Sequence, residues 1–126
     1  MEIKRINALV IDDNVFKTNN ICKALRENGI RNIMSVDNQE DAFKLIYEGA
    51  VNLVITDMHY PVKKGGIADY KSGFIFIERM KKENIDIPII ICSTHNFEST
   101  DAAGIVWYSE LRDLREDFKE VLINIF

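Results

Sequence analysis

Three short apolar runs in this chain end on residues that could do phosphate and metal chemistry. Residues 8–11 lead into Asp12 and Asp13, Leu53–Thr56 leads into Asp57, and residues 89–92 lead into Ser93 and Thr94. If the runs are neighbouring parallel strands, three carboxylates and a hydroxyl meet at one sheet edge. Carboxylates gathered in that way repel and desolvate one another unless a cation sits among them, and an all-oxygen donor set suits Mg2+. Two or three carboxylates and one main-chain carbonyl would satisfy that ion, which keeps several waters. A carboxylate left ionised beside the metal, with an open approach for phosphorus, is a nucleophile; Asp57, ending the middle strand, is best placed. Taken singly an Asp after a strand is a helix cap or turn former, and Asp13 alone would read that way. The coincidence of Asp12, Asp13, Asp57 and Ser93 at corresponding strand ends carries the metal–phosphoryl reading. His59 and His95 fall in polar loops near the same edge, where a solvent-facing histidine is the ordinary outcome and a hard cation prefers oxygen. His59 could still lend its backbone carbonyl.

The elements that must position these residues follow from periodicity. Asn7–Ile11 lacks the alternation of a half-wet strand and should be covered on both faces. Residues 15–28 carry Val15, Phe16, Ile21, Cys22 and Leu25 at helical intervals, closed by Gly29. Residues 30–36 read as a second strand. Asp37 or Asn38 can cap the next helix, with Ala42, Leu45 and Ile46 as its buried stripe and Gly49 as its stop. Residues 51–56 form the third strand. The polar stretch from Asp57 to Gly73 is unusually long for a strand-to-helix connection and holds Pro61, Gly65 and Gly66. Phe74, Ile77 and Met80 resume helical spacing, Pro88 opens a fourth strand, and residues 104–108 form a fifth. Ser109 can cap a last helix with Leu111, Leu114, Phe118, Val121 and Leu122 on one face. Residues 93–103 leave room for a turn or two of helix at most.

These units predict a three-layer, doubly wound α/β fold, a five-stranded parallel sheet with a ligand site outside the strands' carboxyl ends. One domain over residues 1–126 is expected from the length. Apolar residues at 47% and charged residues at 29% read as soluble and globular. A net charge of −4, without segregation, argues against nucleic acid as the primary partner. Cys22 and Cys92, far apart in apolar patterns, read as reduced and buried. The N-terminal apolar run is too short for a signal peptide or membrane span, so a cytoplasmic protein without a membrane role is expected. Nucleotide-binding loops of the GxxxxGK[ST] or GxGxxG kind, the DxD phosphatase signature and a nucleophile elbow are missing.

Taken together, VIDDN at residues 10–14, Asp57 followed by Met58 and Pro61, Gly73 opening a helix, and IPIIICS ending at Ser93 resemble the receiver domain of two-component response regulators. The resemblance, chemotaxis-regulator-like, runs in register from about residue 6 to residue 93. It implies a flavodoxin-like sheet in the order 2-1-3-4-5. It implies that Asp12 and Asp13 hold Mg2+ with Asp57, the acceptor of phosphate from a histidine kinase or phosphotransfer protein. By the same likeness His59 gives a main-chain ligand and Ser93 is the switch hydroxyl. Three departures stand out. The family's lysine at the end of the fifth strand is replaced in GIVWYSE by Trp107 or Tyr108; the loop after Asp57 is long; and the fourth helix is short or absent. Arg112 is a weak substitute for the lysine. Lys63 and Lys64, beside Gly65 and Gly66, are candidates to fold over the site and bind the phosphoryl group in its place.

The leading expectation is a free-standing phosphoacceptor switch with no DNA-binding output of its own, a monomer or weak dimer acting on an unidentified output protein. At most it catalyses its own phosphorylation and dephosphorylation. The alternative is a degenerate receiver that binds a partner without phosphorylation, motivated by the missing lysine and trimmed helix. A small Mg2+-dependent phosphatase, with Asp57 as nucleophile and Asp12 as general acid, is a third class.

Overall fold

The structure, a computed structural model, describes residues 5–96, 98 and 101–126. In chain order the elements are β1 (Asn7–Ile11), α1 (Val15–Glu27), β2 (Asn32–Val36), α2 (Gln39–Tyr47), β3 (Leu53–Thr56), β4 (Tyr60–Pro61), β5 (Ala68–Asp69), α3 (Ser72–Lys82), β6 (Ile89–Ser93), β7 (Gly104–Trp107) and α4 (Leu114–Ile125). Five of the strands form one parallel sheet in the order β2-β1-β3-β6-β7. That is the 2-1-3-4-5 order expected, with β6 and β7 as its fourth and fifth members.

Burial on both faces explains the unbroken apolar strands. Ala8, Val10, Leu53, Ile55, Ile90 and Cys92 face one core with Ile21 and Leu25 of α1 and Phe118 and Leu122 of α4. Leu9, Ile11, Val54, Ile89 and Ile91 face the other, with Phe43 of α2 and Phe76 and Met80 of α3. Successive strand residues point to opposite faces, so every residue of these runs is covered. No described helix is long and apolar enough to cross a membrane.

Three local expectations are corrected. Val15 and Phe16 are 72% and 83% exposed, not core. Asn14 caps α1, and the face turned to the sheet runs through Lys17, Ile21, Ala24 and Leu25, so residues 15 and 16 fall off it. Ser109 does not cap the last helix: its Oγ accepts from Leu111 N in a local turn, while Asp113 accepts from Glu116 N and starts α4. Leu111, ahead of the helix, is therefore 96% exposed. The long loop after Asp57 is a small hairpin, Tyr60 pairing with Asp69 and Pro61 with Ala68. Between Ser93 and Gly104 no helix occurs among the described residues.

Candidate functional site

Register places the acids side by side. Ile11 pairs with Thr56 and Thr56 with Ile91, so Asp12 and Asp57 are the first residues past adjacent strand ends. The amide of Asp57 donates to Ile11 O (2.9 Å) and that of Asp12 to Val36 O (3.1 Å), which extends the ladder to both acids. One carboxylate oxygen from each of Asp12, Asp13 and Asp57 lies within 4.8 Å of the others. Asp12 is buried, Asp57 half-buried and Asp13 exposed.

A fourth charged residue completes the cluster. Lys17, in the first turn of α1, is only 4% exposed. Its Nζ lies 2.8 Å from Asp12 Oδ2, 2.8 Å from Asp57 Oδ1 and 2.7 Å from Cys92 O. Burial alone would lower the ammonium's pKa, but Asp12 and Asp57 outweigh it and hold Lys17 above its ordinary range. Burial raises the Asp12 carboxyl, against the opposing pull of Lys17. Three carboxylates against one ammonium leave the cluster with two uncompensated negative charges. An all-oxygen donor set with that deficit fits a hard divalent cation such as Mg2+, which Asp12, Asp13 and Asp57 would hold.

A buried polar chain fixes the backbone at Asp57. Gln39 Nε2 approaches Tyr60 Oη (3.5 Å), Tyr60 Oη lies 2.8 Å from Thr56 Oγ1, and Thr56 Oγ1 donates to Asp57 O at 2.9 Å. Ser72 Oγ donates to Tyr60 O, and Gln39 Nε2 donates to Ser72 O at 2.6 Å, which ties the hairpin to α2 and α3. Burial pushes the Tyr60 phenol well above its usual range, so it remains a donor. At the start of α3 the chain passes so close that a Cβ on Gly73 would come within 2.8 Å of Asp57 O. Above Asp57 opens a cavity of ≈ 620 Å3, whose walls include Lys17, His59, Tyr70, Phe74, Ser93 and His95. The rings of His59 and Tyr70 stack at 4.6 Å in that wall. Ser93 is buried at the end of β6, its Oγ accepting from His95 N at 3.2 Å.

The geometry thus gathers Asp13, Asp57, His59 and Ser93 around one opening, with Asp12 buried beside Asp13 and Asp57. It does not bring Lys63 or Lys64 there. The Lys64 amide donates to Glu40 Oε2 (3.0 Å) and its ammonium sits 3.8 Å from Asp41, at the start of α2. The hairpin is fastened by Glu40 N to Val62 O at 3.0 Å, so its tip turns toward α2 and the two lysines stay exposed. Arg112 is likewise engaged elsewhere, with both Asp117 oxygens at 2.7 and 2.9 Å. Trp107, at the end of β7, donates its indole N–H to Thr94 O at 2.9 Å. Sequence reasoning missed Lys17. Its signal was a lysine in line with Ile21 and Leu25 on an otherwise apolar helix stripe, where an unpaired charge is not tolerated.

A profile of the response regulator receiver domain family matches residues 8–106. Among solved structures the chain is similar to the response regulator TrrA of Thermotoga maritima, crystallised with Mg2+ and BeF. That match has 28% identity and a TM-score of 0.70, over 92% of this chain and 98% of that one. It is also similar to HP1043, an orphan response regulator of H. pylori, at 16% identity and a TM-score of 0.72, over 99% and 100% of the two chains. RcsB of Salmonella enterica, solved on promoter DNA, matches at 19% identity and a TM-score of 0.73, over 96% of this chain and 68% of that one. A comparison with curated proteins finds no match.

Proposed function

This chain belongs to the response regulator receiver domain family, and from that premise we propose that it signals by accepting a phosphoryl group on Asp57. The observation that carries the reading is the meeting of Asp12, Asp13 and Asp57 within 4.8 Å, with Asp13 and Asp57 lining an open cavity. Asp12, Asp13 and Asp57, with the main-chain carbonyl of His59, are assigned to Mg2+, an ion the TrrA structure contains. When bound, Mg2+ would neutralise charge on the phosphoryl and acceptor oxygens. Asp57 attacks phosphorus with a carboxylate oxygen, and the Ser93 hydroxyl, at the next strand end, turns to the phosphoryl group once it is in place. The donor is the phosphohistidine of a histidine kinase or phosphotransfer protein. The only chemistry the chain itself catalyses is its own phosphorylation and slow hydrolysis.

One receiver-like domain over residues 1–126, a cytoplasmic location, a monomeric or weakly dimeric state and a protein rather than nucleic-acid output complete the proposal. The competing reading, phosphorylation-independent binding, rested on a missing cation and an eroded fourth helix. Lys17 at 2.8 Å from Asp57 weakens the first ground; the segment between β6 and β7, without helix among its described residues, keeps the second. Incubation with acetyl phosphate and Mg2+ followed by intact mass measurement decides between them. One phosphoryl adduct, lost in Asp57→Asn, is expected; Mg2+ binding with no adduct would establish the binding module instead.

A further inference from the structure

We infer that Lys17 is the cationic partner of the acceptor: reaching in from α1, it holds Asp57 through Oδ1, leaves Oδ2 to attack, and then takes a phosphoryl oxygen. This assignment rests on the acceptor reading of Asp57 and adds to it the residue, and the element, that answers the change in charge.

The Lys17 ammonium donates to Cys92 O at 2.7 Å and forms ion pairs at 2.8 Å with Asp12 Oδ2 and with Asp57 Oδ1. Two of these oxygens belong to strand ends on either side of β3 and one to the acceptor, so the ammonium is seated independently of Asp57. Burial to 4% exposure keeps it from swinging into solvent. In the transfer, a lone pair of Asp57 Oδ2 forms the O–P bond. The donor's N–P bond (phosphohistidine) or O–P bond (acyl phosphate) breaks, and its electron pair leaves with the imidazole, which takes a proton from water, or with the carboxylate. Oδ1 then becomes a neutral carbonyl oxygen, while the phosphoryl oxygens beside it carry close to two negative charges. The Lys17 donor that had served Oδ1 is drawn to a phosphoryl oxygen, because a charge-assisted bond is the stronger one. Asp12 and Cys92 O remain as its other two supports.

The placement also changes where phosphorylation is felt. The ring centroid of Tyr108, just past the end of β7, lies 5.7 Å from Lys17 Nζ. Its hydroxyl accepts from Asn20 Nδ2 of α1 at 2.7 Å. A shift of the ammonium therefore acts on α1 directly and reaches the β7 end through Tyr108.

The test combines Lys17→Met, Lys17→Arg and the double variant Lys17→Met, Tyr108→Lys. Phosphoryl uptake from acetyl phosphate is followed by intact mass, and Mg2+ affinity is measured by calorimetry on the same samples. Losing a charge-assisted contact should slow uptake in Lys17→Met roughly tenfold to a hundredfold. Mg2+ should bind that variant more tightly, because a positive charge has left the carboxylate cluster. A disordered site would weaken both, so the opposite movement of the two readouts identifies the role. Lys17→Arg keeps the charge and guards against collapse of the site. Its planar fork does not fit the three-oxygen seat, so uptake falls while Mg2+ affinity stays near that of the parent. A lysine at position 108 approaches the same point from β7 and should restore much of the uptake. Parent-like uptake in Lys17→Met, or a joint fall of uptake and Mg2+ affinity, would overturn the assignment. A parent chain that takes up no phosphate would instead overturn the acceptor reading, and the inference with it.

Discussion

At the scale of single residues, function turns on how one buried ammonium and three carboxylates share space. Lys17 satisfies Asp12 and Asp57 but not Asp13, which faces solvent. Asp13→Ala should remove a metal ligand without disturbing that ion pair. Its expected outcome is a melting temperature like the parent's, or slightly higher, without Mg2+ and no further rise when millimolar Mg2+ is added, checked by thermal scans with and without the ion. Cys92 offers a second residue-level test. Its side chain is fully buried, and burial pushes the thiol from an ordinary 9.0 up to about 12. The native protein should therefore leave Cys92 unlabelled by a thiol reagent at mildly alkaline pH and label it only on unfolding. The sign of the linkage follows. A folded pKa above the unfolded one gives stability that is complete below pH 9.0 and is lost as pH rises toward 12. Urea midpoints that hold level across that window would contradict the burial of this thiol.

At the scale of elements, one close approach and one buried chain hold the site's frame. A Cβ on Gly104 would overlap Val121 Cγ1, so α4 can lie against β7 only because that residue has no side chain. Gly104→Ala should cost about 1–3 kcal/mol by overpacking, read from chemical denaturation, with the loss falling on the α4 side of the sheet. The hairpin of β4 and β5 rests on Tyr60, which is fully buried and hydrogen-bonded to Thr56. Tyr60→Phe keeps the shape and leaves Thr56 and Gln39 without the phenol, so a loss of about 1–2 kcal/mol is expected by the same measurement. His59 and Tyr70, which flank the hairpin, stand in the cavity wall. Glu40, Gln39 and Ser72 hold the hairpin, Glu40 through Lys64 N, Gln39 through Tyr60 Oη and Ser72 through Tyr60 O.

For the molecule as a whole, the carboxylate cluster couples metal binding to folding. The acids converge only when β1 and β3 pair, so an ion that needs all three binds the folded chain and not the unfolded one. At a Mg2+ concentration ten times its dissociation constant, about 1.4 kcal/mol of added stability is expected. A melting temperature that ignores Mg2+ would count against the whole cluster. The segment between β6 and β7 has no helix among its described residues.

Much of this was legible in the residues themselves. Unbroken apolar runs announced strands buried on both faces, and their endings on Asp12, Asp57 and Ser93 located the site, because strand period and termination are local properties of a chain. The absence of a lysine after β7 was legible too, but not its remedy. Lys17 meets Cys92 O across 75 positions of sequence, and that contact depends on how α1 is set against the sheet. Helical spacing could place Lys17 on the covered face; only the packing of α1 over the strand ends could show that the face there is a pair of carboxylates instead of apolar core. The hairpin was decided in the same way. Lys63 and Lys64 sit on a glycine-containing tip that local reasoning leaves free to turn anywhere, and hydrogen bonds from α2, distant in sequence, turn it away from Asp57.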